Sequence, residues 1–273
     1  DPYFADVAAA VASAETPTPY ETIRDGVLTV STDHGRVPSF AVALYAASRG
    51  LNIDSLMQAT EREGRLDLPG LADQYASLGN EQLQGVPILF EGPPSRVDAE
   101  DGAFRGLSAL AVAQLAGTGA ASFLNLTDKI VLLGSGFHDS ERYRTPTYAA
   151  RDAGGEMYGW TYGVEIHAHV LQNLLSGRFL RPLHWIWKLA LLLAVAAVVA
   201  GITFSRGTKW GATSMVATAL GTAVIAWIVF DRNALVVPIF AATFASLFAF
   251  LGSSSYVSIV KGKANRMIKG AFA

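Results

Sequence analysis

Three long apolar runs follow one another in the last third of the chain, at residues 185–204, 210–230 and 234–252. Each is close to the roughly 20 residues that a helix needs to cross a hydrocarbon layer about 30 Å thick. Within lipid, a helix is the form in which such an isolated segment satisfies its own backbone hydrogen bonds. The connecting sequences SRGTK and DRN are too short to hold a domain. The runs therefore predict an all-α three-helix transmembrane bundle.

The basic residues near the ends of these runs predict how the chain is oriented, because Lys and Arg in short loops are retained on the cytoplasmic side. The first break carries Arg206 and Lys209 without an acid, whereas Asp231 offsets Arg232 in the second break. The segment 253–273, expected to be a basic juxtamembrane helix, adds Lys261, Lys263, Arg266 and Lys269. This pattern predicts residues 1–184 in the periplasm and the C-terminus in the cytoplasm of a bacterial inner membrane. Arg178, Arg181 and Lys188 favour the opposite orientation, but more weakly.

The composition indicates a soluble domain joined to a hydrophobic one. Charged residues make up only 16% of the chain, yet nearly all the acids precede residue 170. A net charge of −2 gives no electrostatic reason to expect a nucleic-acid partner. The absence of cysteine excludes disulfides, thiol chemistry and cysteine metal ligands. A segment of about 180 residues can instead bury an ordinary hydrophobic core.

The first residues, DPYFADVAAAVASAETPTPY, contain neither a basic region nor a long apolar stretch that could direct export. We therefore expect an export or anchor segment upstream of Asp1.

Short strand and helix patterns alternate along residues 1–184, which predicts an α/β layer domain. Turn and capping signals bound several of them, with Gly50 and Gly177 as expected helix ends. The expected elements are a strand at 26–31, a helix at 39–49, a strand in VPILF, a helix at 107–115, a buried strand at 129–133 and a helix that begins near Gly163.

Several motifs in this region resemble one known family. They are KIVLLGSGFHDSERYRTP, then YGVEIHAHVLQNLLSGRFLRP directly before the apolar runs, and the earlier stretches DGVLTVS, VPSFAVALYAAS and PILFEGPP. Together they resemble the CHASE2 family of extracytoplasmic sensory domains, over most of residues 20–270. The resemblance implies a partial CHASE2-like α/β extracytoplasmic domain followed by three transmembrane helices, as in CHASE2-containing cyclases and histidine kinases. Compared with that family, the sequence lacks the first membrane helix with the elements after it, and it ends before an output domain.

Candidate sites in the outer domain are few. Glu165 and His169 lie four residues apart on one helix face and could begin a metal site, although a polar packing role is the simpler interpretation. The glycine turn at Ser135 could present N–H groups to an anion, with Arg142 and Arg144 nearby in sequence. Ser135, His138 and Asp139 do not form a hydrolase triad, because they crowd one loop and no G-x-S-x-G elbow is present.

The apolar runs carry packing and interface signals. Gly211, Ala217 and Gly221 form a small-residue face that would allow close helix approach. Residues placed at the membrane interfaces are Trp185, Trp187, Lys188, Trp210 and Trp227.

Two functions remain open for a chain in which we expect no catalysis, cofactor or resident metal. One is an accessory, structural subunit that stabilises a larger membrane complex, such as a photosynthetic or respiratory one. The other is the signal-sensing input module of a receptor coupled to an adenylate cyclase or a histidine kinase. The missing first helix and output domain favour the accessory subunit, and the resemblance favours the sensor. The expected partners are membrane lipids and either other membrane subunits or a second copy of the chain.

Overall fold

The structure is a computed structural model, and it describes residues 22–33, 35–68, 76–77, 83–95, 102–118, 126–127, 129–134, 142–147 and 159–271. The chain divides into two compact units, Asp1–Phe179 and Leu180–Ala273. The first unit is mixed α/β and the second is a bundle of three apolar helices.

An antiparallel sheet organises the first unit. Its strands are β1 (Asp25–Thr32), β2 (Gly35–Pro38), β3 (Ala76–Ser77) and β4 (Leu83–Pro87), in the order β2-β1-β4-β3. Residues 26–30 of β1 are all buried, so this central strand is covered on both faces. The register between β1 and β4 shifts at residues 27–29, as in a β-bulge.

The described part of the first unit also contains four helices, and capping chemistry explains several of their ends. They are α1 (Phe40–Arg49), α2 (Ile53–Glu63), α3 (Ala109–Gly117) and α4 (Gly163–Ser176). Ser39 Oγ accepts the N–H of Val42 at the start of α1, and Gly50 ends that helix in the left-handed region at φ 64°. Gly177 ends α4 in the same way, as the sequence predicted. The main core contains Leu28, Val42, Leu66, Val86, Ile166, Val170, Leu174 and Phe179.

Gly26 allows β1 to approach α4, and replacing it with alanine should destabilise the unit. An added Cβ would overlap Val170 Cγ2 and lie 3.2 Å from Ile88 Cγ1. Val170 is only 2% exposed and has little room to move. We expect Gly26→Ala to lower the free energy of unfolding by about 1–3 kcal/mol in urea titrations of the full chain.

The double variant Gly26→Ala/Val170→Ala should be less destabilised than the sum of its two single changes, because the smaller side chain removes the overlap. Gly117→Ala is the matched control, since a Cβ there meets no atom within 4 Å. Additive effects in the double variant would contradict the overlap.

The expected strand at 129–133 is wrong. Residues 129–134 form neither a strand nor a helix, and Ile130, Val131 and Leu133 are exposed, the last to 85%. A short apolar run becomes a strand only where a neighbour accepts its ladder hydrogen bonds. Within the described ranges no strand lies beside this segment. Instead, short strands form later, where β5 (Arg142–Tyr143) pairs with β6 (Thr161–Tyr162).

The second unit contains three helices that are long and apolar enough to cross a membrane. They are α5 (Trp185–Arg206), α6 (Thr208–Asn233) and α7 (Ile239–Ala271), with candidate spans at Trp185–Arg206, Thr208–Asn233 and Ile239–Val260. Gly207 alone separates α5 from α6. The third apolar run and the expected juxtamembrane segment form one continuous helix, α7. That helix begins after Pro238, whereas the sequence predicted a third helix that starts at residue 234 and includes this proline. The residues before the proline form β8 (Leu235–Val236), which pairs with β7 (Arg181–Pro182).

Small and hydroxylated side chains occupy the interior of the bundle, whereas most large apolar ones face outward. The buried positions include Val195, Val199, Thr203, Ser214, Thr222, Ala226, Ala242 and Ser246. The hydroxyls donate to carbonyls of their own helices, as Thr203 does to Val199 at 2.7 Å and Ser246 to Thr243 at 2.7 Å. An outward apolar surface is what a lipid environment requires.

Candidate functional site

A polar ladder on α4 is the most constrained arrangement of buried polar groups that the structure describes. Glu165, His169 and Asn173 recur every four residues, so they share one face of the helix. All three are buried, at 6%, 1% and 1% exposure. Ile166, Val170 and Leu174 form a neighbouring stripe that packs into the hydrophobic core. The helix thus presents an apolar stripe and a polar stripe side by side, both away from water.

Asn173 binds both backbone polar groups of Leu89, in the segment that follows β4. Its side-chain carbonyl accepts the N–H of Leu89 at 2.9 Å, and its amide donates to the carbonyl of Leu89 at 3.0 Å. Both groups of Leu89 are satisfied by one side chain, in the way that a neighbouring strand would satisfy them. Asn173 therefore fixes this segment against α4.

Glu165 binds the same segment six residues further on. Its Oε1 accepts the backbone N–H and the hydroxyl of Ser95, each at 2.7 Å. The hydroxyl of Ser95 also accepts the N–H of Phe104 at 2.9 Å. Burial raises the pKa of Glu165, while the two hydrogen bonds from Ser95 partly oppose that rise.

His169 lies between these two anchors, with an aromatic ring on either side. The rings of Phe90 and Phe104 meet the imidazole edge to face, with centroids 4.9 and 4.8 Å away. Its Nε2 is 4.0 Å from Glu165 Oε1. Burial lowers the pKa of His169 from 6.5 to about 4, because a charged imidazolium loses its hydration in this apolar enclosure. The side chain is therefore neutral at pH 7.

A metal site at Glu165 and His169 would need a third ligand, and the described residues do not provide one. Within the described ranges, no group of three or more His, Asp or Glu side chains could hold an ion. The rings of Phe90 and Phe104 occupy the space beside the imidazole, and Glu165 Oε1 is already bonded to Ser95. Glu165 Oε2 and His169 Nδ1 are buried without a hydrogen-bond partner in the part of the chain described. The arrangement suits packing of residues 88–95 and 102–104 against α4 better than ion binding.

The two arginines expected near an anion site lie at the short hairpin of β5 and β6. The guanidinium of Arg142 lies over the ring of Tyr162, 5.4 Å from its centre, and that of Arg144 lies over Trp160 at 5.0 Å. The backbone carbonyl of Arg144 accepts the N–H of Ile23 at 2.7 Å, which ties the hairpin to the segment before β1. Ser135, the third expected member, lies outside the described residues, as do His138 and Asp139.

Buried hydroxyl groups form hydrogen bonds next to the β5–β6 pair. Thr145 and Thr161, both almost fully buried, share a hydrogen bond of 3.0 Å, and Thr145 also pairs with Thr147 at 3.0 Å. The TP motif of the sequence therefore places a structural threonine rather than a reactive one.

The predicted small-residue face of α6 is divided in the structure. Gly211 is buried, and a Cβ there would overlap Thr203 Oγ1 of α5. Ala217 is exposed, and a Cβ at Gly221 would meet nothing within 4 Å. The prediction for these two residues is therefore not met within this chain. The face that does pack contains Gly211, Ser214, Thr222 and Ala226.

The expected interface residues lie near helix ends. Trp185, Trp187 and Lys188 occupy the first turn of α5, while Trp210 and Trp227 lie near the two ends of α6. The four tryptophans are all more than half exposed. They remain predicted interface anchors.

Sequence patterns pointed to Glu165 and His169 but not to Asn173 or Ser95. The signal for Asn173 was the continued four-residue spacing in EIHAHVLQN, which extends the same helix face by one turn. No local pattern identifies Ser95, because its role depends on a contact across 70 residues.

Comparison with known proteins agrees with the fold and its membrane helices. The CHASE2 domain matches residues 8–203, which is more than half of the chain and includes most of α5. No curated protein and no solved structure matches the chain. With a mixed α/β unit, three apolar helices and a match of this extent, the chain belongs to the CHASE2 domain family.

Proposed function

We propose that this chain is the signal-sensing input module of a transmembrane receptor, with its α/β unit outside the cytoplasm. The observation that carries the proposal is the extent of the family match, which runs without interruption from the α/β unit through residue 203 of α5. CHASE2 domains are sensory, so the matched region supports sensing joined to a membrane helix. The output would be an adenylate cyclase or a histidine kinase.

The buried contacts of α4 support a sensor. Its polar groups hold residues 88–95 and 102–104 through hydrogen bonds and ring contacts. A displacement of these residues would be transmitted along α4. The accessory-subunit hypothesis has no comparable observation in its favour.

Orientation follows from the charges and can be tested with introduced thiols. Arg206 and Lys209 lie at one end of the bundle, and the β7–β8 pairing lies at the other. By the preference for cytoplasmic Lys and Arg, the first end faces the cytoplasm. Because the chain has no cysteine, each introduced thiol reports alone. In intact cells, Ser55→Cys should react with a membrane-impermeant maleimide, whereas Ser205→Cys should react only after permeabilisation. The reverse pattern would overturn the orientation.

The role itself is tested by mild solubilisation of native membranes, followed by sizing and mass spectrometry of the species that contains this polypeptide. Recovery as a homodimer of a longer protein with a cyclase or kinase domain is the expected result. Recovery of the chain in a fixed ratio with unrelated membrane subunits would overturn the sensor and favour an accessory role.

A further inference from the structure

We propose that the turn between α5 and α6 is a binding site for the phosphate of an anionic phospholipid headgroup. The turn forms one wall of a cleft of about 620 Å³, and α7 forms the opposite wall through Val257 and Ser258. Arg206 and Lys209 line the cleft and are both exposed to it and to solvent. An occupant would therefore touch all three membrane helices.

Among the described residues, no carboxylate neutralises the positive charge in this cleft. Among the residues described, neither Arg206 nor Lys209 has a carboxylate within ion-pair distance. The Arg206 guanidinium lies 5.8 Å from the centre of the Trp210 ring, a contact that holds it beside the cleft while leaving its N–H groups available. Two such cations beside each other attract an anion, and a planar guanidinium suits phosphate oxygens in particular.

The backbone adds donors at the same place. Gly207 precedes α6 with φ 92° and offers no side chain to cap it. The first N–H in this turn that bonds within the helix is that of Gly211, which donates to the carbonyl of Gly207 at 3.0 Å. The N–H groups of Thr208, Lys209 and Trp210 therefore point out of the helix end, where an acceptor lowers their free energy.

The position of the cleft favours a lipid headgroup over a free anion as its ligand. It lies at the end of two candidate membrane spans, Trp185–Arg206 and Thr208–Asn233. Trp210, a residue type that favours the headgroup layer, forms part of its lining. Phe204 packs edge to face with Tyr256 at 5.7 Å, two residues before Arg206 on α5 and one residue before Val257 on α7, so two aromatic rings lie beside the cleft. Cations in the cleft and aromatic rings next to it match the charged and apolar parts of a phospholipid.

Native mass spectrometry of the full chain tests this site with added phosphatidylglycerol and phosphatidylcholine. The unmodified chain should retain phosphatidylglycerol preferentially. Arg206→Gln with Lys209→Gln should weaken that retention about tenfold or more, because each basic residue near a membrane surface contributes about a fivefold factor. Lys188→Gln with Arg232→Gln removes the same charge elsewhere in the bundle and should change retention little. Equal losses in the two double variants would overturn the site.

A second measurement needs no variant. Hydrogen–deuterium exchange at residues 208–210 should be slower in phosphatidylglycerol nanodiscs than in phosphatidylcholine nanodiscs, because a phosphate would accept these N–H groups. Equal exchange rates in the two lipids would overturn the proposal. If millimolar inorganic phosphate in phosphatidylcholine nanodiscs slowed exchange as much as phosphatidylglycerol does, the site would be one for a free anion, and the lipid assignment would be wrong.

Discussion

Replacing Asn173 with alanine should lower the free energy of unfolding of the α/β unit by about 3 kcal/mol. The change leaves the buried N–H and carbonyl of Leu89 without their partner, and each unsatisfied buried group costs about 1–3 kcal/mol. Alanine also leaves a small cavity beside the core. Urea unfolding of the full chain in nanodiscs, followed by protease resistance of the α/β unit, measures the loss.

Gln172→Ala is the matched control, because Gln172 precedes Asn173 on the same helix and is only half-buried. Its substitution should change stability by about 0.5 kcal/mol or less. Asn173→Asp should cost at least as much as Asn173→Ala, since its carboxylate accepts the N–H of Leu89 but loses its hydration and faces the Leu89 carbonyl with no proton to donate. A loss below about 1 kcal/mol for Asn173→Ala would show that Leu89 finds other partners.

Acidification should destabilise the α/β unit through His169. The pKa of this side chain is about 4 in the folded chain and 6.5 without burial. The unfolded state therefore binds a proton first as the pH falls. The stabilising contribution of the neutral imidazole is complete above pH 6.5 and is lost as the pH falls towards 4. At about 1.4 kcal/mol for each unit of pKa, the contribution of His169 amounts to roughly 3 kcal/mol.

Glu165 acts in the opposite direction over part of this range. Its pKa is raised above 4.5 in the folded chain, so protonation of its carboxyl as the pH falls favours the folded state. The contribution of His169 is therefore the difference in slope between the unmodified chain and His169→Gln. The variant should lose less stability between pH 6.5 and 4 than the unmodified chain does, when unfolding is followed in urea at each pH.

His184→Gln serves as a control for this measurement, because His184 is exposed and belongs to the helical unit. It should keep the slope of the unmodified chain. Parallel pH profiles for the unmodified chain and His169→Gln would mean that His169 does not titrate differently on unfolding.

These two predictions bear on sensing, because both act on the contact between α4 and residues 88–95 and 102–104. A stimulus that moved residues 89–95 would have to break the hydrogen bonds at Leu89 and Ser95 or carry α4 with it. In the sensor that we propose, α4 is followed after residues 177–184 by the first membrane helix.

The sequence by itself determined the parts of the protein that depend on local chemistry. Length and hydropathy define a membrane helix without reference to any neighbour, so three spans could be read directly. The ends of α1 and α4 followed from Ser39, Gly50 and Gly177, because capping involves only residues within one turn. The motifs of the α/β unit were sufficient for its family, which the match over residues 8–203 confirmed.

The tertiary structure decided what depends on contacts between distant residues. KIVLL has the composition of a buried strand, yet residues 129–133 are not a strand because none of the described strands pairs with them. Ala217 and Gly221 are small residues like Gly211, but of the three only Gly211 is buried, next to Thr203 of α5. The burial of Glu165, His169 and Asn173 likewise required residues 88–95 and 102–104 to pack against α4. Periodicity shows which residues share a face, whereas the partner that covers the face, and hence its desolvation and pKa values, is set by the whole fold.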